Sequence, residues 1–484
     1  MSDVVLVYPT PTNEQTETVG PPLSILYLGA FLENQGFSVD YFDERIVPLN
    51  VLENYLKEKP LLLAVSSMTG YQLLGAKRAL LLAKKISSEI KTVLGGVHSS
   101  LVPDQCLKED FIDFICIGEG EYTLLELVKT LKDRKQEFSS INGLGWKDKN
   151  MQPHINKKRD FMDLDQSVAP ITKKSLPLYA YYPWRKIQIS RGCLHRCTFC
   201  YNTSFNQRKY RIKSIDKIKE EIETLKRFFP SLNHITLLSD NLDRNKGRIK
   251  EISEFMKSYK MTWHTAIRSE YIDKEMVDIL QVSCDSLFFG VESASKRILK
   301  FLNKDSTTKD ALRAARLIAK SNIKPFYSFM TGFPRETKKE ILASMNLADK
   351  LKKINKKAEI TPFFICTANP GTDLYRFAQK YRKYTDPKSF EEWSTFSLNT
   401  VNMPWMNNKT SRQALNIYYM TLILYLNEKD YSRTEFEKTL FQFLKTQAEQ
   451  KWKKRDFDFD FERDLFTKYN EDIKVKQLSK KIMN

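Results

Sequence analysis

Short apolar runs alternate with amphipathic segments along the first 145 residues. The runs predict strands, because each is flanked by polar or turn-forming residues, at 4–8, 39–42, 61–66, 92–94 and 114–117. Between them, apolar side chains recur at helical spacing over 23–32, 76–86 and 122–131. Strands and helices in this order form a mostly parallel sheet covered on both faces. The pattern therefore predicts a doubly wound, Rossmann-like α/β domain over residues 1–145, with its ligand site at the carboxyl ends of the strands.

This alternation of predicted strands and helices stops after residue 141 and begins again near residue 183. A hairpin is expected around Gly143-Leu144-Gly145-Trp146, and the polar, proline-punctuated stretch over 146–182 is predicted to be a linker. A second series of strands follows at 186–190, 234–238, 262–267, 286–290, 326–331 and 360–365. The series predicts a partial (β/α)6 barrel over 183–385, whose chemistry lies at the C-terminal strand ends. Residues 386–484 lack strand signals, so a helical C-terminal region is expected.

The composition is that of an ordinary globular chain. With 484 residues, 42% hydrophobic and 28% charged side chains, the sequence excludes the collagen-like, low-complexity and disordered classes. No apolar run approaches the roughly 20 residues that a membrane span needs. The N-terminus has no basic segment before its apolar stretch, which is typical of a first strand and not of a signal peptide. A cytoplasmic location is therefore expected.

The net charge of +19 is confined to the later part of the chain. Residues 1–145 hold 13 Lys and Arg against 19 Asp and Glu, whereas residues 146–484 hold 65 against 40. The later basic residues are mixed with acids, as in Lys-Ile-Lys-Glu-Glu-Ile-Glu over 217–223, which is typical of a solvated helix face. We therefore expect no nucleic-acid partner.

Three of the seven cysteines are clustered, in the order Cys193-x3-Cys197-x2-Cys200. Four others are isolated among mostly apolar neighbours and are predicted to be core residues: Cys106, Cys116, Cys284 and Cys366. A zinc site is one interpretation of the cluster, with His195 as the fourth ligand. A [4Fe-4S] cluster is favoured, since three thiolates leave one iron open for a substrate and no second cysteine pair follows.

The cysteine motif follows the first predicted barrel strand and has the aromatic Phe199 directly before its last cysteine. In these respects the chain resembles the radical S-adenosylmethionine (SAM) superfamily. The resemblance implies that the open iron binds the amino and carboxylate groups of the SAM methionine. It also implies that the reduced cluster cleaves SAM to a 5′-deoxyadenosyl radical, which abstracts a substrate hydrogen. We assign no catalytic residue beyond the cluster ligands.

Polar residues and a glycine stand where the later barrel strands end, and the resemblance gives them roles in binding SAM. Asp240 is expected to receive the methionyl ammonium. Arg268 and Lys304 are candidates for the carboxylate, which a guanidinium fork suits. Glu292 is expected at the ribose hydroxyls, and Gly332 begins a turn expected to set its backbone against the adenine. Each also has a structural alternative: an ion pair for Arg268, a helix cap for Glu292 and a plain turn at Gly332.

Small and polar residues follow the predicted strands of the first domain, as Gly-Pro-Pro-Leu at 20–23, Val-Ser-Ser-Met-Thr at 65–69, Leu-Gly-Gly-Val-His at 94–98 and Ile-Gly-Glu-Gly-Glu at 117–121. Through these segments the domain resembles the cobalamin-binding domains that precede radical SAM barrels. The resemblance assigns cobalamin contacts to Ser66, Ser67, Thr69, Gly95, Gly96, Gly118 and Glu119. Domains with a histidine ligand carry Asp-x-His-x-x-Gly after the first strand, whereas residues 9–14 here are Pro-Thr-Pro-Thr-Asn-Glu. The cobalt is therefore expected to lack that histidine. Ordinary strand-end turns are the structural alternative.

The two resemblances together imply a cobalamin-dependent radical SAM enzyme that methylates carbon on an unidentified substrate. Cyclisation or oxidation without methyl transfer, as in the anaerobic magnesium-protoporphyrin ester cyclase branch, is the alternative. An RNA methylthiotransferase is disfavoured, because the first domain holds only Cys106 and Cys116 where that family needs three cysteines. A non-catalytic cobalamin or redox sensor would not need the whole set of SAM contacts. The expected partners are a small-molecule, lipid or tetrapyrrole-type substrate and an electron donor such as flavodoxin or ferredoxin.

Overall fold

The computed structural model describes residues 2–10, 20–135, 137–381, 384–396, 403–428 and 434–469. The chain forms two compact units. The first comprises residues 1–267, 275–286 and 368–397, and the second comprises 268–274, 287–367 and 398–484.

The first unit begins with a seven-stranded sheet whose strands follow the order β2-β1-β3-β4-β5-β6-β7. Its strands are β1 (Val4–Tyr8), β2 (Val39–Asp43), β3 (Leu62–Ser66), β4 (Lys91–Gly95), β5 (Phe114–Cys116), β6 (Leu144–Lys147) and β7 (Pro153–Ile155). The first five are parallel, whereas β6 and β7 are antiparallel. The reversal of strand order beside β1 creates a crevice at the carboxyl ends of β1 and β3.

Apolar runs made the parallel strands predictable. In β1, Val4, Leu6 and Val7 are at most 1% exposed, because helices cover both faces of a parallel sheet. The connecting helices are α1 (Leu23–Asn34), α2 (Leu52–Lys57), α3 (Gln72–Ile86), α4 (Val97–Leu101), α5 (Pro103–Cys106) and α6 (Glu121–Lys132). All five predicted strands are present, and the hairpin predicted around Gly143 to Trp146 is formed by β6 and β7.

A second parallel series begins in the same unit. After α7 (Leu176–Tyr181), its elements are β8 (Lys186–Gln188), β9 (Ser190–Arg191), α8 (Asn202–Phe205), β10 (Arg211–Ile212), α9 (Ile215–Phe228), β11 (His234–Leu238), α10 (Lys246–Ser258), β12 (Thr262–Ala266) and α11 (Lys274–Leu280). Strand β11 pairs in parallel with β8 and with β12. The strand predicted at 186–190 is divided, because β9 leaves β8 and pairs antiparallel with β10.

The second unit continues the βα alternation. Strand β13 (Cys284–Glu292) begins in the first unit and ends in the second. The elements after it are α12 (Lys296–Phe301), α13 (Thr308–Ile318), β14 (Lys324–Thr331), α14 (Lys338–Ile354) and β15 (Glu359–Ile365). Strands β14 and β15 are parallel, and α15 (Asp373–Gln379) returns to the first unit. The predicted α/β class and the six-strand series are confirmed.

Reciprocal capping boxes begin several of the later helices. Thr337 and Glu340 cap α14, and Thr434 and Glu437 cap α17 (Glu435–Lys454), each through two side-chain to backbone hydrogen bonds. Helices α17 and α16 (Asn408–Tyr425) lie in the C-terminal region that was predicted to be helical. Across the described ranges, none of the helices combines the length and apolar character required to cross a bilayer.

Candidate functional site

The three clustered cysteines lie on a loop that follows β9 in the first unit. Gly192 opens the loop with a φ of +90°, and a Cβ there would overlap the carbonyl oxygen of Lys209, so glycine is required. The Gly192 N–H donates to Asp240 Oδ2 at 2.7 Å, which joins the loop to the end of β11. The Leu374 N–H of α15 donates to the Thr198 carbonyl at 2.9 Å and holds the loop from another side.

The thiols of this loop are half-buried and form no disulfide. Burial, followed by the charges of Cys197, Asp240 and Cys193, raises the pKa of the Cys200 thiol to about 12. A thiol with this pKa is protonated at neutral pH, and a bound metal is what holds it as the thiolate. In the described part of the chain, no three Cys, His, Asp or Glu side chains already form a metal-binding set. Ligation by Cys193, Cys197 and Cys200 therefore stays a prediction.

The donor chemistry of the loop fits an iron–sulfur cluster. Its three thiols are the ligand type that such clusters take, and three ligands leave one iron of a [4Fe-4S] cluster open. The other four cysteines are buried, with raised thiol pKa values caused first by burial: Cys106, Cys116, Cys284 and Cys366. All four are therefore inert residues of the core, as predicted.

A cavity of about 510 Å³ lies in the first unit. Its walls come from the carboxyl ends of β1, β3, β4 and β5, from the start of α1, and from β8, β9 and the end of β11. This volume falls within the roughly 300–1,000 Å³ of ligand pockets. Asp240 opens to the cavity, and burial raises its carboxyl pKa against the hydrogen bonds from Asn202 and Gly192. The cavity therefore joins the crevice of the first sheet to the strand end that precedes α10.

Six of the seven predicted cobalamin contacts line the cavity: Ser66, Ser67, Gly95, Gly96, Gly118 and Glu119. Thr69, the seventh, lies outside the lining, with its hydroxyl 3.0 Å from His98 Nδ1. The Ser67 hydroxyl donates to the Met68 carbonyl at 2.9 Å, so it already has an acceptor. The structure thus brings six of the seven predicted contacts together around one cavity and places Thr69 outside its lining.

Gly96 allows two strand-end loops to approach closely. Its φ is +97°, and a Cβ there would lie 2.5 Å from the Ser67 carbonyl oxygen and 2.8 Å from the Ser67 nitrogen. At Gly95, by contrast, a Cβ would make ordinary contacts, the nearest at 3.7 Å from Cys116 Cβ. The backbone therefore requires a glycine at Gly96 but not at Gly95.

We expect Gly96→Ala to destabilise the first unit by about 1–3 kcal/mol, through a strained φ and overlap with Ser67. Gly95→Ala, the matched control, should cost less than about 1 kcal/mol, because its Cβ has room. Urea unfolding of both variants measures the difference. Equal losses would show that the close approach to Ser67 does not constrain this loop.

Glu119 is held by two arginines. Its carboxylate lies 3.0 Å from Arg191 Nη1 and 2.6 Å from Arg211 Nη2, and it accepts the Met162 N–H at 3.1 Å. Arg191 also pairs with Glu121 at 2.6 Å. Burial alone would raise the pKa of Glu119, but Arg191 and Arg211 outweigh it and lower that pKa. Glu119 thus lines the cavity as part of a buried charge network.

His98, in the helix that follows β4, is buried. It is 1% exposed in α4, and its ring meets Phe390 and Trp393 edge to face. Burial lowers the pKa of His98 to about 3. A neutral imidazole that contacts the Thr69 hydroxyl fits a role in packing the core of this domain. His98 is not among the residues that line the cavity.

We expect the folding stability around His98 to fall as the pH drops below 6.5. The unfolded chain binds a proton there, whereas the folded chain does not until pH approaches 3. This group alone should cost about 2 kcal/mol between pH 7 and pH 5. Hydrogen exchange in β3 and β4 should show this loss in the wild type and lack it in His98→Gln. His154→Gln, at a half-exposed ring, is the control; an identical pH dependence in all three proteins would contradict the assignment.

The remaining predicted SAM contacts belong to the second unit. Arg268 is 9% exposed and forms an ion pair with Glu270, which also accepts the Ser306 hydroxyl. Asp305 lies 3.9 Å from Arg268 Nη2. The ion-pair alternative for Arg268 is therefore present in this structure.

Glu292 and Lys304 are paired with each other. Lys304 Nζ donates to Glu292 Oε1 at 2.7 Å, and their side chains are 6% and 9% exposed. Glu292 has a φ of +64°, which is strained for a residue with a side chain and is often found at functional sites. A Cβ at Gly290 would lie 3.0 Å from Lys304 Nζ, so the small residue leaves space for the pair. The helix-cap alternative for Glu292 does not apply, since Ser295 caps α12.

The turn at Gly332 is fixed by a residue that the sequence did not single out. Glu336 Oε2 accepts the Gly332 N–H at 2.7 Å and the Thr331 hydroxyl at 3.0 Å. Burial raises the pKa of Glu336 to about 7, against these hydrogen bonds. The indole N–H of Trp405 donates to the Gly332 carbonyl at 2.9 Å. The spacing from Gly332 to Glu336 was visible in the sequence, whereas the distant Trp405 was not.

Two family models match the chain. The model of the radical SAM superfamily matches residues 187–348, and the model of the B12 binding domain matches residues 10–128. Both matches fall where the cysteine motif and the strand-end glycines predicted these domains.

Three curated relatives are similar over most of the chain. An uncharacterized methyltransferase of Pyrococcus horikoshii is 28% identical over 404 residues, which are 79% of this chain and 86% of that protein. Cytidylyl-2-hydroxyethylphosphonate methyltransferase of Streptomyces wedmorensis is 23% identical, over 79% of this chain and 82% of that protein. Anaerobic magnesium-protoporphyrin IX monomethyl ester cyclase of Rubrivivax gelatinosus is 26% identical, over 71% of this chain and 65% of that protein.

A solved structure shares the fold. The cobalamin-dependent S-adenosylmethionine radical enzyme OxsB, with aqua-cobalamin and S-adenosylmethionine bound, aligns with a TM-score of 0.73 and 17% identity, over 93% of this chain and 71% of that chain. The resemblances stated from the two sets of motifs are confirmed. The chain contains a domain that matches the B12-binding model, followed by a domain that matches the radical SAM model.

Proposed function

We propose that this protein is a cobalamin-dependent radical SAM methyltransferase that adds a methyl group to carbon of a small-molecule substrate. One observation carries the proposal: residues of the B12-binding domain and of the radical SAM domain line a single cavity. Ser66 and Gly95 come from the B12-binding domain, and Arg191 and Asp240 come from the radical SAM domain. A shared cavity lets one substrate meet both cofactors.

Cys193, Cys197 and Cys200 would hold the [4Fe-4S] cluster. When bound, the cluster supplies the electron that cleaves SAM to a 5′-deoxyadenosyl radical, and cobalamin supplies the methyl group. Asp240 would accept hydrogen bonds from the methionyl ammonium, and its position beside the Gly192 N–H keeps it at the cysteine loop. In the second unit, Arg268 and Lys304 are the proposed carboxylate partners, Glu292 the ribose partner and Gly332 the adenine contact.

The cobalamin would be held without a histidine ligand. The cavity lining contains no histidine among the described residues, and His98 of α4 is buried against Thr69. Small residues at Gly95, Gly96 and Gly118 would let the backbone approach the corrin, and Ser66 and Ser67 would face its nucleotide loop. Thr69, which lies outside the lining, is the seventh proposed contact.

The second candidate is cyclisation or oxidation without methyl transfer. It is favoured by the 26% identity to a magnesium-protoporphyrin ester cyclase. Both candidates use the same cofactors, so the products distinguish them.

We further propose a flavodoxin- or ferredoxin-type electron donor, whose acidic surface would suit the basic later part of the chain. The seven free cysteines fit a reducing compartment, and we propose the cytoplasm.

The test is anaerobic turnover by the reconstituted full-length protein. It is supplied with cobalamin, SAM labelled on its methyl group, a reductant and a small-molecule extract of cells that lack the protein. Methyl transfer predicts 5′-deoxyadenosine, S-adenosylhomocysteine and one newly labelled metabolite. 5′-Deoxyadenosine alone would favour the second candidate. If neither nucleoside forms, with cluster and cobalamin both bound, the proposal is wrong.

A further inference from the structure

A row of three polar side chains crosses neighbouring strands of the first unit. Thr236 of β11 is in register with Lys186 of β8 on one side and with His264 of β12 on the other. Residues in register on adjacent strands project from the same face, and such strands lie about 4.8 Å apart. The side chains of a lysine, a threonine and a histidine therefore leave the sheet side by side, and the Lys186 ammonium reaches Gly20, where it would overlap an added Cβ. We call Lys186, Thr236 and His264 the polar row.

Of the polar row, Lys186 lines the cavity, and Thr236 and His264 follow it in register on the same face of the strands. On the opposite face, Ile187, Leu237 and Trp263 are completely buried. On the face of the polar row, Lys186 lines the cavity itself, together with Gln188 and Leu238, which are in register with each other. A molecule in the cavity therefore reaches the Lys186 end of the row.

The two titratable side chains of the row, Lys186 and His264, have no counterion among the described residues. In the ranges that the structure describes, neither the Lys186 ammonium nor the His264 ring has a hydrogen-bond or ion-pair partner. Burial, then the charge of Arg45, lowers the pKa of Lys186. Burial, then His234, lowers the pKa of His264. Asp285 opposes the second effect only in part, since it pairs with His234 at 2.7 Å.

We propose that the polar row binds an oxyanion, a phosphate or a carboxylate, on the molecule that occupies the cavity. The ammonium supplies charge, and the hydroxyl and the ring N–H supply directed donors. The inference rests on the proposed function, because it takes the occupant to be substrate or cobalamin. The oxyanion then has two sources: an acidic group of the substrate, or the phosphodiester in the nucleotide loop of cobalamin.

Acylation of Lys186 in the full-length protein tests the proposal. The rate of labelling by acetic anhydride is followed by peptide mass spectrometry, with inorganic phosphate or with sodium chloride of equal ionic strength. Phosphate should slow labelling about fivefold at a concentration about four times its dissociation constant. Exposed Lys57 is the internal control and should not change. Thr236→Val and His264→Gln should each weaken phosphate protection about fivefold, as the loss of one hydrogen bond predicts.

Two corrins identify the source of the oxyanion. Cobinamide lacks the nucleotide loop, so protection by cobalamin but not by cobinamide assigns the phosphodiester to the row. If phosphate still protects Lys186 in the cobalamin-loaded protein, the row is free for an acidic substrate. Protection by phosphate that equals that by chloride, or that survives both substitutions, overturns the proposal. Labelling needs no SAM or reductant, so a protein that fails to cleave SAM but shows protection would reject the proposed function alone.

Discussion

Cys197→Ala is expected to abolish SAM cleavage, with 5′-deoxyadenosine formation falling below about one thousandth of the wild-type rate. The cluster would lose one of its three protein ligands, and the structure offers no replacement, since the remaining cysteines outside the loop are buried. Iron and sulfide content of the reconstituted protein should fall with the activity. The measurement is anaerobic chromatography of the nucleoside products.

Cys106→Ala is the matched control for this result. Cys106 is a buried thiol of α5, and burial raises its pKa, so it should neither bind iron nor affect turnover. The control separates loss of a ligand from a general effect of removing a thiol. An unchanged rate in Cys197→Ala would refute the assignment of the cluster ligands.

The fold was predictable because its strands are buried on both faces. The strand predicted at 61–66 corresponds to β3, whose Leu62 and Leu63 are completely buried, so a continuous apolar run was enough. Strand β7 carries no such signal: Pro153, His154 and Ile155 are all exposed, and it joins the sheet only by pairing with β6. An exposed edge strand depends on a long-range partner that a local pattern does not contain.

The places of the site residues were predictable, but their partners were not. Gly96 and Gly118 follow predicted strands, and parallel strands end at a common edge, so their shared location was predictable. Glu119 was assigned to cobalamin by the resemblance and lines the cavity, whereas its ion pairs with Arg191 and Arg211, which are far away in the sequence, were not predicted. Lys304 is only twelve residues from Glu292, yet their pairing depends on a positive φ at Glu292 that the sequence does not reveal. Ion pairs that form through tertiary packing are therefore the main feature of the site that the sequence did not predict.

One such ion pair lies deep in the first unit. Lys213 pairs with Glu221, and their side chains are 1% and 0% exposed. The Tyr27 hydroxyl of α1 donates to Glu221 Oε2 at 2.8 Å and accepts from Lys213 Nζ at 3.1 Å and from the Gln188 N–H at 2.9 Å. Burial lowers the pKa of Lys213 to about 8. This cluster connects the B12-binding domain to the first strand of the radical SAM series.

Lys213→Met is expected to destabilise the first unit by about 3–5 kcal/mol, because it leaves Glu221 buried without a counterion. Lys213→Met/Glu221→Leu should recover most of that loss, since removing both charges together avoids the unpaired carboxylate. Lys57→Met, which breaks the exposed pair with Glu53, is the control and should cost at most about 1 kcal/mol. Urea unfolding of the three variants measures these differences. If the double variant is no more stable than Lys213→Met, the cost arises from lost packing of the lysine stem and not from the unpaired charge.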